Sequence, residues 1–276
     1  MKPTDKSSLA NSLPIRGGLR FAYISSLIIA LMMASVSTAG ILYQTDIYPE
    51  EELLETFIAN DVVSLVIGVP ILLVSMWLAR RGKLIGLLFW PGALFYVSYN
   101  YFVYVFAMPL SWVYLFYITL FGLSLYTMIG FVTNIDGKAV QRRLAGLVPE
   151  RFAGGVLVGL STLFLLRAIF EMAGSLINQA LSSDTELALL VVDFLMAPAW
   201  IIGGVLLWRR QPLGYVGGTG LLFQTSMLFI GLIMILFLQP MLTNAAFSLT
   251  DIIVVFIMGL ICFIPFTLFV RGVVKS

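Results

Sequence analysis

Long apolar blocks separated by short polar interruptions set the pattern of this chain. Eight blocks stand out, at about residues 21–43, 57–79, 84–106, 110–132, 152–173, 187–208, 213–238 and 249–270. Each is long enough for a helix to cross a bilayer, which takes about 20 mostly apolar residues. A spanning helix closes its own backbone hydrogen bonds and needs no water in the hydrocarbon. The regular alternation of barrel strands is absent. The pattern predicts an all-α, polytopic transmembrane helical bundle of eight helices.

Composition points the same way. Of 276 residues, 60% are hydrophobic and 11% charged, with a mean hydropathy of +1.02. Water-soluble domains carry roughly 25% charged residues, so the expected solvent is a lipid bilayer. The first block follows Lys2, Lys6, Arg16 and Arg20, as a signal peptide would. Its apolar stretch is longer than a typical signal h-region, and it reads as a retained helix.

The blocks also repeat. Pro70, Arg81, Gly86, Gly92, Leu94 and Phe95 recur at one fixed spacing as Pro198, Arg209, Gly214, Gly220, Leu222 and Phe223. Arg20-Phe21-Ala22 likewise matches Arg151-Phe152-Ala153. A fixed period in an apolar chain marks a duplicated membrane unit. Four helices per unit keep the second copy in the orientation of the first. The expected organisation is a flexible tail (1–20), a first four-helix repeat (21–133), a linker (134–150) and a second four-helix repeat (151–276).

Charge sets the expected topology. Fifteen of the 16 basic residues fall before the first block, in alternate connections, or at the end of the chain. The positive-inside rule places both termini in the cytoplasm of a cell membrane. The opposite connections are acidic, with Asp46, Glu50, Glu51, Glu52 and Glu55 in one and Asp184 and Glu186 in another. Basic residues spread over five short segments act as topology signals and lipid contacts, and nothing suggests nucleic-acid binding.

Charged residues inside apolar blocks are expensive and are the first candidates for function. Asp61, Arg167, Glu171, Asp193 and Asp251 qualify, all in the outer half of the expected bundle. Arg167 and Glu171 are four apart and share a helix face. Asp61 and Asp193 are one turn out of register in the repeat, so they are expected on the same face of equivalent helices. Tyr96, Tyr99, Asn100, Tyr101 and Tyr104 on the third helix, with Gln224, Thr225 and Ser226 on the seventh, could join them around one polar cavity, although Tyr101 and Tyr104 also suit an interfacial belt near the helix end. Packing is the competing account: Arg167 could pair with Glu171 or Asp193 and tie helices together. Asp251 reads more simply as a helix cap. Pro70 and Pro198, mid-helix, remove a backbone donor and free a carbonyl, and are candidate hinges.

No enzyme motif is present. There is no histidine and Cys262 is the only cysteine, so the usual zinc, copper and haem ligand sets are out of reach. No cofactor or metal is expected. Glu50-Glu51-Glu52 lacks the arginine and histidine of CAAX-type proteases.

The run Trp77-Leu78-Ala79-Arg80-Arg81-Gly82, followed by Tyr99-Asn100-Tyr101, resembles a group of prokaryotic multi-pass membrane proteins without an assigned activity. The run from Leu206 to Val216 resembles the same group. This resemblance implies a prokaryotic cytoplasmic membrane and transfers no site residues. The sequence as a whole supports a small-solute or ion transporter or channel, with a non-catalytic receptor, sensor or assembly subunit as the alternative. A membrane-protein partner belongs to that second reading.

Overall fold

A computed structural model describes residues 13–178 and 183–276. Among the described residues eight long helices follow one another: α1 (Arg20–Leu42), α2 (Glu51–Arg80), α3 (Leu84–Ala107), α4 (Trp112–Asn134), α5 (Glu150–Asn178), α6 (Asp184–Trp208), α7 (Pro212–Leu242) and α8 (Leu249–Lys275). Seven are long and apolar enough to cross a membrane. The eighth, α3, carries no charge, but Trp90, Pro91, Tyr96, Tyr99, Asn100, Tyr101 and Tyr104 lower its hydropathy. It is instead the most enclosed helix, buried from Gly86 to Ala107 on most of its circumference. Large apolar side chains such as Phe21, Leu31, Phe170 and Ile257 face outward, as a lipid-facing surface requires.

The helices meet in the same order in both halves. In the first, α1 packs on α2 and α4, and α3 on α2 and α4. In the second, α5 packs on α6 and α8, and α7 on α6 and α8. The halves join through α3 against α7, flanked by α3 against α6 and α2 against α7.

Local geometry also recurs at the spacing that relates Pro70 to Pro198. After α2, Arg81, Gly82 and Lys83 donate their N–H groups to the carbonyls of Trp77, Ala79 and Leu78. After α6, Arg209, Arg210 and Gln211 donate to Val205, Leu207 and Leu206, the equivalent positions in the second half. Both are Schellman caps, which need one residue in the left-handed region. Gly82 (φ 75°) supplies it in the first and Arg210 (φ 55°) in the second. The next glycines fit against the end of the preceding helix: a β-carbon on Gly86 would lie 2.4 Å from the Ala79 nitrogen, and one on Gly214 would lie 2.4 Å from the Leu207 nitrogen.

The two prolines behave differently. A wide π-helical turn, Ser64–Gly68, precedes Pro70 and absorbs the misfit, with the Val69 N–H reaching back to the Ser64 carbonyl. Pro198 lies inside an uninterrupted α6. A single extra residue in a helical turn is a common way to accommodate such a break, and here only α2 uses it.

The basic face is knitted together more than a tail and linker imply. Residues 1–12 of the expected flexible tail lie outside the described residues. Residues 14–16 are tied down: Arg16 N–H donates to the Asn134 carbonyl (2.8 Å) and Asp136 N–H to that of Pro14 (2.8 Å). The linker contains a short helix, Gly137–Leu144, capped by Asp136. Glu150, buried, accepts from Gly146 N–H (3.0 Å) and the Tyr215 hydroxyl (2.9 Å), and pairs with Arg210 at 3.6 Å. Gln141 donates to the Arg210 carbonyl at 2.7 Å. The linker is therefore fastened to the hinge between α6 and α7.

Candidate functional site

A cavity of about 810 Å³ opens among α2, α3, α5, α6 and α7. Its walls run from Thr56, Asn178 and Glu186, at the acidic ends of their helices, down to Leu157, Ser161 and Trp200. Ligand pockets of this kind hold roughly 300–1,000 Å³ and are mostly apolar with a few polar groups.

The first and second halves carry different side chains at positions that the fixed spacing relates. In the first half the corresponding interior is filled by Tyr101, Tyr104 and Tyr117, whose rings contact one another, and by Phe57 against Tyr104. At the spacing that relates Pro70 to Pro198, Tyr101 and Tyr104 correspond to Phe229 and Leu232. These smaller side chains line the cavity.

Asp193 lies at the centre of the wall. Ser183 caps the start of α6 by accepting from Glu186 N–H (3.3 Å), and Asp184 and Glu186 in the first turn suit the helix dipole. That start places Asp193 between two and three turns down, facing α3. One carboxylate oxygen accepts from the Tyr99 hydroxyl at 2.7 Å. Tyr99 in turn lies against Trp200, with ring centroids 5.7 Å apart. The Trp200 indole N–H donates to Gln224 Oε1 at 2.6 Å. Gln224 is fully buried behind Trp200, and among the described residues its Nε2 has no partner.

Arg167 and Glu171 line the wall on α5, which packs along α6, and pair with each other, Nε to Oε1 at 2.8 Å and Nη2 to Oε2 at 3.4 Å. Of the two pairings the sequence left open for Arg167, the structure has the one along its own helix. Asn100 lines the same cavity and donates to the Tyr96 carbonyl.

Five of the seven ligand-site candidates thus converge: Tyr99, Asn100, Arg167, Glu171 and Asp193. Gln224 supports the wall from behind. Asp61 lies elsewhere. It is buried in the first half, with one oxygen accepting from the Tyr48 hydroxyl and the other from the Tyr104 hydroxyl at 3.0 Å. Asn60, beside it, lines the cavity and donates to that same Tyr104 hydroxyl at 3.3 Å. The shared face expected for Asp61 and Asp193 is not found: Asp61 lies in a phenol cluster and Asp193 on the cavity. The π-helical turn Ser64–Gly68, which follows Asp61 and has no counterpart in α6, breaks the register between them. Asp251 is not the cap itself: Ser248 caps α8 by accepting from the Asp251 N–H (3.3 Å), and Asp251 sits in the first turn.

Trp200, Phe164 and Phe229 escaped the sequence reading because aromatic side chains in apolar blocks carry no polar signal. The repeat held a usable one, in the replacement of Tyr101 and Tyr104 by smaller residues. Glu150 was missed because it stands at a block edge, where a carboxylate is unremarked. Among the described residues no group of acidic side chains or cysteine is arranged to hold a metal ion.

No family model matches the chain, and no curated protein or solved structure does either. The site must be read from its own geometry. What the structure defines is a helical bundle with spans suited to a membrane and a deep, mixed polar and apolar chamber.

Proposed function

We propose that this is an eight-span protein of the prokaryotic cytoplasmic membrane, made of two four-helix repeats in the same orientation, with both termini in the cytoplasm. We further propose that it binds and moves a small solute through the chamber centred on Asp193. One observation carries this reading. Charged and polar side chains from three different helices, Asp193 (α6), Tyr99 and Asn100 (α3), and Arg167 and Glu171 (α5), line one cavity rather than being sealed in separate helix contacts. Charge at membrane depth usually faces a water-filled space or a partner. A chamber between repeats near mid-membrane is also where transporters place their substrates.

The inner end is closed. Below Trp200 the α3–α7 seam is packed backbone to backbone at Gly92 and Gly220, and Phe89, Phe223 and Phe266 stack beneath it. This geometry supports an outward-open state of an alternating-access transporter over a continuous channel. An assembly subunit has no need for such a chamber.

Thiol labelling tests both topology and cavity. In a Cys262→Ser background, Glu52→Cys is expected to react with a membrane-impermeant methanethiosulfonate from outside, and Lys138→Cys only after permeabilisation. Asn100→Cys and Leu228→Cys, both in the chamber wall, are expected to react from outside. Reaction of these two from the cytoplasm alone would overturn the outward-open reading.

A further inference from the structure

The chamber's charges are not balanced, and the imbalance identifies a class of ligand. Among the described residues Arg167 is the sole basic one on the wall, and Glu171 engages it through two nitrogens. That pair is internally neutral. Asp193 is left with one hydrogen bond, from Tyr99, which is a neutral donor. Among the described residues it has no direct cationic partner, and its second carboxylate oxygen accepts no hydrogen bond from the protein. Glu186 adds a further negative charge at the mouth. An anion entering this space would meet Asp193 and Glu186 without a free cation to receive it.

The surroundings of Asp193 decide which cation fits. Calcium takes six to eight oxygen ligands and magnesium a near-octahedral set; one half-occupied carboxylate does not supply either. The neighbouring groups are instead aromatic. Tyr99 donates to Asp193, Trp200 lies against Tyr99 two turns further along α6, and the Phe164 and Phe229 rings are 6.4 Å apart elsewhere on the wall. Aromatic faces attract organic cations, and do so more strongly where water is excluded. Leu160, Leu189 and Leu232 complete an apolar lining. A volume near 810 Å³ is far larger than an inorganic ion requires.

We infer that the ligand of this chamber is an organic cation with an apolar body, its positive centre placed at Asp193 and Tyr99 and its hydrocarbon against Trp200, Phe164 and Phe229. This rests on the outward-open cavity proposed above and adds the charge and character of what enters it.

Size-matched lipophilic ions provide the test, with the full-length protein in nanodiscs and binding followed by calorimetry. The probes are tetraphenylphosphonium, the smaller benzyltrimethylammonium, and tetraphenylborate as an anion of the same shape as the first. At least one cation is expected to bind saturably and tetraphenylborate not to. Asp193→Asn is expected to weaken cation binding about tenfold or more, as loss of a desolvated charge partner does. Trp200→Leu is expected to weaken it by about threefold to tenfold, through loss of a ring face. Asp193→Glu, which keeps the charge, is expected to retain measurable binding and covers the case in which the asparagine variant does not fold. The inference is overturned if neither cation binds above tetraphenylborate, or if cation binding is unchanged in both Asp193→Asn and Trp200→Leu. Thiol labelling of Leu228→Cys separates the two levels. Labelling from outside without cation selectivity removes this inference and leaves the cavity standing, whereas no labelling from outside removes both.

Discussion

Gly92 and Gly220, which share one register in the two halves, touch each other. A β-carbon added to Gly92 would lie 2.2 Å from the Gly220 carbonyl oxygen, and one added to Gly220 would lie 3.2 Å from the Gly92 nitrogen. In the two-repeat organisation proposed above, equivalent positions meet only where the axis relating the copies passes between them. The crossing of α3 and α7 is that place, and small residues let the two backbones approach, as lipid-embedded helices commonly require.

Gly92→Ala is expected to destabilise the protein despite alanine's better helix propensity, worth about 1 kcal/mol. The obstacle is backbone and cannot swing aside, so overpacking of about 1–3 kcal/mol wins. Gly122→Ala, whose β-carbon would meet open space, is the matched control and should be neutral or stabilising. Thermal unfolding of the two variants in one detergent decides it. An unfolding temperature for Gly92→Ala at or above that of Gly122→Ala would show that the seam is not tight.

Asp61 and Asp193 should separate into a structural and a binding carboxylate. Both Asp61 oxygens accept phenolic hydrogen bonds, from Tyr48 and Tyr104, and a β-carbon on Gly40 would collide with the carboxylate. Asp61→Asn presents an amide donor to a hydroxyl donor and is expected to cost about 1–3 kcal/mol. Asp193→Asn loses one acceptor at a partly open site and should cost less stability. Side-by-side melting curves check this. Equal losses would remove the distinction.

The two Schellman caps predict different responses. Gly82→Ala forces a side chain into the left-handed region and should cost about 1–2 kcal/mol. Arg210→Gly relieves that strain and gives up an ion pair whose arginine is largely exposed, worth about 0–1 kcal/mol, so stability should stay within about 1 kcal/mol. Glu150→Ala leaves the Tyr215 hydroxyl and Gly146 N–H without their acceptor and should cost about 1–3 kcal/mol. It should also open residues 137–148 to limited proteolysis, more than Arg210→Gly does. Greater protease sensitivity in Arg210→Gly than in Glu150→Ala would mean that Arg210, not the buried carboxylate, fastens the linker.

Acidification should loosen the linker helix at its start. The Asp136 carboxyl is held below the usual carboxylate range by the Ala139 and Lys138 N–H groups it accepts and by Arg16 at 3.7 Å. A carboxylate lowered by folding contributes stability above its unfolded value of about 3.9, and loses it as pH falls through the folded value. Hydrogen exchange at Lys138 and Ala139, corrected for intrinsic rates, should be flat above about pH 5 and rise below about pH 4. Asp136→Asn keeps a good cap without the charge and should abolish that rise. A rise that persists in the asparagine variant assigns the pH response to another group.

Much of the architecture was legible because membranes impose one-dimensional rules. Block length reports a span. The recurrence of the positions from Pro70 to Phe95 carried the repeat signal. The α3 helix shows the limit: its aromatic and polar residues look marginal for a span because they face protein on nearly every side. The hinges were half legible. Arg81-Gly82 announces a left-handed cap, but Arg210 in the equivalent place does not, since its strain is held by contacts to Glu150 and Gln141 that no local rule contains.

The candidate site divides the same way. The sequence by itself marked Asp61, Arg167, Glu171 and Asp193 as costly, because a charge in an apolar block is conspicuous whatever surrounds it. It could not say which of them share a space. Burial among Tyr48 and Tyr104 makes Asp61 a packing element, while the same chemistry at Asp193 faces a chamber. That outcome depends on partners from other helices and loops, Tyr48 and Tyr104 around Asp61 and Tyr99 on Asp193, which are not sequence neighbours of either acid on its own helix. Hydrophobic pattern and charge act along the chain and can be read from it. Whether an interior is filled or hollow depends on side chains from several helices meeting at one point, and only the tertiary structure brings them there.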